Sequence, residues 1–131
     1  MAEAIAEGFR SADGEVTVKL FNSAREDKND IITEVFKSKA ILVGSSIVNR
    51  GILTSVAGIL EEIRGLGFKN KKAAAFGSYG WSGEGVKMIS DLLREGGFEV
   101  VNEGLSVLWN PDRQSLEQCL GFGKDLAEAL R

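Results

Sequence analysis

Histidine is missing altogether from the 131-residue chain. Its absence excludes a Ser-His-Asp triad, a Cys-His dyad, any His-containing metal cage and the commonest general base near neutral pH. Cysteine occurs once, at Cys119, so the chain can form no internal disulfide. Flanked by Leu116, Leu120 and Phe122, that thiol reads as a small core residue rather than a nucleophile. A reducing, cytoplasmic setting is the expectation that follows. No stretch approaches the ~18 uninterrupted apolar residues of a membrane span. The start, Met1 to Glu7, has neither a basic nor an apolar signal region, so neither export nor membrane insertion is expected. Sixteen Lys and Arg against nineteen Asp and Glu leave a net charge of −3. The cations are scattered, which argues against nucleic acid as a partner. Any chemistry then falls to a bound group.

What is present is an orderly supply of apolar residues and glycine. With 44% apolar and 27% charged residues and 16 glycines, residues 1–131 read as one domain, large enough to bury roughly two-thirds of its unfolded surface. Glu15 to Phe21 alternates, with Val16, Val18 and Leu20 on one face and Thr17 and Lys19 on the other, and predicts a strand with one wetter face. Ala40 to Gly44 and Ala73 to Gly77 are short continuous apolar runs, the pattern of strands covered on both faces of a parallel sheet. Phe98 to Val101, continuing through Leu105 to Trp109, makes a fourth. Between them the period becomes helical. Ile52, Val56, Ile59, Leu60, Ile63 and Leu66 mark one helix, ending at Gly65 or Gly67, and Val86, Ile89, Leu92 and Leu93 another, ending at Gly96-Gly97. Asp30 is read as the N-cap of a helix over 31–37, and a last helix follows Pro111, the sole proline, to Leu130. The alternation defines an α/β domain with a mostly parallel sheet. Met1, Ile5 and Phe9 open the chain in a helix with no strand to feed it, so one strand is expected to be missing.

Ligands of such sheets lie outside the carboxyl ends of the strands. Two Gly- and Ser-rich segments stand there: Gly44 to Gly51, and Gly77 to Gly85. The second holds Tyr79 and Trp81, two of the three Tyr and Trp residues in the chain. Their faces suit a planar ring while loop amides meet its polar edge. On spacing alone, Trp81 capping the sheet with the glycines as turn formers is an equal alternative. Asn49, Ser45 and Ser46 have equally plain readings as turn and helix-start residues.

The segment from Asp30 to Ala129 resembles the C-terminal flavodoxin-like domain of flavodiiron proteins (A-type flavoproteins). The motifs are Val43-Gly44-Ser45-Ser46-Ile47-Val48-Asn49-Arg50-Gly51, Val56-Ala57-Gly58, and Asn70 through Gly83, and the resemblance extends back to Met1. It implies a doubly wound sheet in flavodoxin order and an FMN pocket with two walls. Ser45, Ser46, Val48, Asn49 and Gly51 would form one wall, and Ser78, Tyr79, Gly80, Trp81 and Gly83 the other. Three departures qualify it. The family's first strand and Ser/Thr-rich phosphate loop would precede Met1, leaving four strands and an α-ammonium where the phosphate is held. Ile47 stands where the family generally has Thr. The di-iron domain is absent, so this chain would not reduce oxygen by itself.

Without its first strand, the sheet is expected either to pair Val16–Phe21 directly with Ala40–Val43 or to fill the edge from a second copy as a homo-oligomer. The functional readings are a flavin-binding electron-transfer module working with a separate redox partner protein, a non-catalytic assembly module that has lost flavin, and a binder of another planar ligand.

Overall fold

The computed structural model describes residues 1–48, 50–80 and 83–131, and of Val48 only the backbone. The chain runs α1 (Ala2–Ala12), α2 (Lys28–Lys37), β1 (Ala40–Val48), β2 (Gly51–Ile52), α3 (Thr54–Leu66), β3 (Lys72–Tyr79), α4 (Gly85–Glu95), β4 (Glu99–Val100), β5 (Leu105–Leu108) and α5 (Arg113–Ala129). β1 pairs with β3 in parallel from Ala40↔Lys72 to Ser46↔Ser78. Beyond β3 the sheet continues in parallel first to β4 and then, further along the strand, to β5.

Period-two geometry sends alternate residues of each central strand to opposite layers. Ile41, Val43, Ala73 and Ala75 join one cluster, with Ile31 and Val35 of α2, Ile59 and Ile63 of α3, and Ile89 and Leu93 of α4. Leu42, Ala74 and Phe76 join the other, with Ile5 and Phe9 of α1 and Cys119 and Leu126 of α5. Alanine on β3 lets the helices of both layers close on the sheet, and glycine opposite Phe76 serves a related purpose. A Cβ on Gly44 would lie 2.1 Å from the Phe76 ring.

Helix ends follow local chemistry. Asp112 caps α5 by accepting the Ser115 N–H at 2.8 Å, which holds its carboxyl below the ordinary range. α3 ends at Gly67 in the left-handed region, φ 63°, where a residue without Cβ is unstrained. At the far end of the molecule Arg131 Nη2 donates to the Ala12 carbonyl at 2.8 Å, tying α5 to α1.

Several sequence expectations are corrected. Glu15–Phe21 is no strand: Glu15 lies in a turn, and 16–21 run without regular secondary structure and without a sheet partner, although Val16 and Val18 still pack on the α1–α5 cluster. It does not pair with β1, and the two are separated by an open groove. Gly44 to Gly51 is mostly strand rather than loop. β1 continues to Val48 and turns into an antiparallel hairpin with β2, pairing Ile47↔Ile52 and Val48↔Gly51. Ile52 therefore belongs to that hairpin and not to α3. The expected fourth strand is two short ones, and the sheet counts five strands among the described residues. α2 starts one turn early, capped by Asp27, whose carboxylate accepts the Asn29 N–H at 2.7 Å. No helix among the described residues is long and apolar enough to cross a membrane.

Candidate functional site

The carboxyl ends of three parallel strands meet at one level. Ser46 of β1 is in register with Ser78 of β3, and Ser78 and Tyr79 with Val107 and Leu108 of β5. A depression of about 420 Å³ opens there, lined by Ser46, Ile47, Ser78, Tyr79, Gly80, Trp109 and Asn110. Its size suits a small organic ligand.

Trp109 gives the depression its character. It has φ 58°, in the left-handed region that bulky residues avoid, and the residue is 66% exposed. The backbone is held there by the Trp109 N–H, which donates to the Tyr79 carbonyl at 2.7 Å. The indole lies against Gly80, where a Cβ would come within 2.8 Å of the ring. A strained backbone that presents an exposed aromatic at a strand end costs about 1–3 kcal/mol and marks sites where the fold fixes a side chain for use. The Tyr79 ring covers Gly83 in the same manner, at 3.6 Å from where a Cβ would stand. Two aromatic faces, two serine residues and the Asn110 amide form a donor set suited to a flat heteroaromatic ligand with polar edges.

The structure thus brings Ser46, Ser78, Tyr79 and Gly80 together. Gly51 lies in the hairpin, paired with Val48. Ser45 is buried and its hydroxyl is engaged inside the protein, donating to the Ser46 carbonyl at 2.7 Å and accepting the Leu53 N–H at 3.0 Å. It fastens β1 to the residue that precedes α3. Ser45→Ala is expected to lower stability by about 1–3 kcal/mol in urea denaturation, because the Leu53 N–H loses its partner. Asn49 and Trp81, and the side chain of Val48, lie outside the described residues. Ile47 packs its side chain where a Cβ on Gly85 would stand, and so seats the start of α4. Trp109 and Asn110 escaped the sequence reading, which followed the second and third strands only. The signal was an aromatic followed by Asn-Pro at the end of the last strand.

Cys119 is fully buried on α5, and burial pushes its thiol above the ordinary range. Among the described residues no group of three or more His, Cys, Asp or Glu could hold a metal ion.

A mostly parallel sheet with helices packed on both faces defines a doubly wound α/β domain. Within that class the chain belongs to the flavodoxin family, whose model matches residues 1–123. It is 50% identical over 127 residues to an anaerobic nitric oxide reductase flavorubredoxin of Klebsiella pneumoniae, a match that covers 97% of this chain and 26% of that protein. The chain therefore spans about a quarter of the length of that curated relative. Among solved structures it is similar to a rubredoxin oxygen:oxidoreductase from Desulfovibrio gigas (TM-score 0.91, 37% identity, 98% of this chain and 32% of that one). It is also similar to an archaeal flavodoxin (TM-score 0.85, 33% identity, 98% and 87%).

Proposed function

We propose that this chain is a flavin-binding electron-transfer module, the FMN domain of a flavodiiron-type oxidoreductase or a piece acting with a separate redox partner protein in the cytoplasm. The observation that carries the reading is Trp109, strained and exposed beside Tyr79 and Gly80 at the strand ends. Membership of the flavodoxin family supports it. The bound flavin would supply one- or two-electron transfer. The protein's own residues bind and orient. Trp109 and Tyr79 offer stacking faces, Ser46 and Ser78 offer hydrogen bonds to polar edges, and Gly80 keeps the backbone low enough for Trp109 to cross it. No described residue need move a proton.

FMN titrated into the chain should lose fluorescence with saturation at one equivalent, and Trp109→Ala should weaken the affinity about tenfold, the scale of one aromatic stacking contact. The described lining residues address a flat ring, so riboflavin should bind within about threefold of FMN, less than 1 kcal/mol apart. Unchanged flavin fluorescence at tens of micromolar protein sinks the proposal and leaves the second reading, an assembly module that binds no flavin. Ile47, an alkyl side chain lining the depression where a hydroxyl would meet a ring's polar edge, is the observation that favours that alternative. A planar ligand without a phosphate is the third reading, reached if riboflavin binds far better than FMN.

A further inference from the structure

Phe36, in the last turn of α2, is 58% exposed at the end of the molecule opposite the depression, beside the amino ends of β1 and β3. Its ring is nonetheless fixed. It meets the Phe68 ring edge-on, with 4.8 Å between centres, and buried Phe68 lies 5.7 Å from Phe98, so a row of aromatics runs from solvent into the core. Lys71 pins the main chain there. Its ammonium donates to the carbonyls of Phe36, at 3.2 Å, and of Ser38, and stands 5.5 Å from the centre of the Phe68 ring. Leu66, 49% exposed, is the last residue of α3, and the turn that follows it is set by Gly67 at φ 63° and Asn70 at φ 60°.

Lysines scattered along the sequence gather around this apolar pair. Lys37 follows Phe36, Lys69 follows Phe68, and Lys39, which leads into β1, accepts the Lys72 N–H on its carbonyl at 3.3 Å. Among the described residues neither Lys39 nor Lys69 forms an ion pair, and Lys37 shares Glu34 with Lys19, at 3.6 and 2.9 Å. The carbonyls that hold Lys71 leave its charge uncancelled. Screening over about 8 Å at physiological salt lets this local surplus act despite the net charge of −3. The surplus is also bounded. Lys72 reaches the Ala129 carbonyl at 3.1 Å and stands in register with Glu99, and Arg64 pairs with Glu95 at 3.7 Å, so acidic groups border it. An extended polyanion or an anionic membrane would meet those carboxylates, whereas a short segment would not.

We propose that Phe36, Leu66, Lys37, Lys39, Lys69 and Lys71 form a docking surface for a short acidic polypeptide segment with an apolar residue at its centre. The apolar residue covers Phe36 and Leu66, and the carboxylates around it meet the lysines, an apolar anchor inside a charged rim. Because Phe68 and Lys71 already hold Phe36, little side-chain freedom is lost on contact. The depression at the opposite strand ends stays open while the segment is bound.

The test uses the full chain and a fluorescein-labelled peptide with a Leu-Trp pair between two runs of Glu. It should bind one to one, and the amide NMR shifts it causes should fall in 36–39 and 66–72. Replacing its Glu by Gln, or its Leu-Trp by Ser-Ser, should weaken binding at least about tenfold. Raising the salt from about 0.05 M to about 0.5 M should weaken it about fivefold. In the protein, Phe36→Ala should cost about tenfold in Kd, and Lys39→Glu with Lys69→Glu should abolish binding, while circular dichroism shows both variants folded. No saturation below about 1 mM, a millimolar Kd being the weakest contact worth the name, overturns the proposal, as do equal Kd values for the Glu and Gln peptides. So does tighter binding to phosphatidylserine vesicles than to the peptide, which would assign the face to a membrane. Sedimentation as a dimer that Lys39→Glu with Lys69→Glu splits would assign it to a second copy and equally overturn it.

Discussion

Gly123→Val is expected to lower stability by about 3 kcal/mol or more. α1 and α5 touch through glycine. A Cβ at Gly123 would fall 2.1 Å from the Ile5 carbonyl oxygen and 3.0 Å from the Phe9 nitrogen, and one at Gly8 would fall 2.1 Å from the Leu120 carbonyl oxygen. Every one of these obstacles is backbone, so no rotamer change relieves them and the helices must move apart. Separation would open the cluster that Ile5, Phe9, Leu126 and Ala127 bury. The control is Gly121→Ala, on the same helix, where a Cβ meets nothing within 4 Å. There the gain in helix propensity should stabilise by up to about 1 kcal/mol. Urea denaturation followed by circular dichroism measures both, and equal stabilities would contradict the helix crossing.

Leu93→Ala should cost about 2–5 kcal/mol. Leu93 is fully buried on α4, in the cluster that holds Ile63, Phe68 and Phe98. Its backbone is pinned as well, since the Leu93 carbonyl accepts the Phe98 N–H at 3.1 Å where the chain turns into β4. The turn also needs Gly97, at φ 91°. Truncation therefore leaves a cavity that the helix cannot easily collapse to fill. Leu66→Ala, at a position 49% exposed, should stay within about 0.5 kcal/mol of the parent. A Leu93→Ala loss as small as that would mean the α4 layer is loosely packed.

Much of this fold was legible in short-range pattern. The runs around Ile41-Leu42-Val43 and Ala73-Ala74-Ala75 carry no polar residue, and both of their faces are indeed covered. Gly67 ends α3 where the period stops. Glu15–Phe21 misled because alternation records a preference for extended backbone, whereas a strand also requires a neighbouring edge. The 44–51 segment misled in the opposite sense. Its Ser and Gly suggested a loop, but β1 runs through it to Val48 and Gly51 pairs back antiparallel as the start of β2, with Arg50 at φ 65°.

The site divides along the same line. Ser46, Ser78, Tyr79 and Gly80 follow from their place at strand ends. Trp109 joins them only through the pairing of β5 with β3, which no local pattern encodes. Ser45 shows the limit of reading residue types. Its hydroxyl looks available in sequence and is engaged twice in the structure.

The tie between Arg131 and Ala12 spans 119 positions, and closing a loop of that length costs about 4 kcal/mol of chain entropy before any contact compensates. Pairing of β1 with β3 closes a far shorter one. The α1–α5 seam should therefore form late on the folding route, and damage to it should appear mainly as faster unfolding, with the refolding rate little changed.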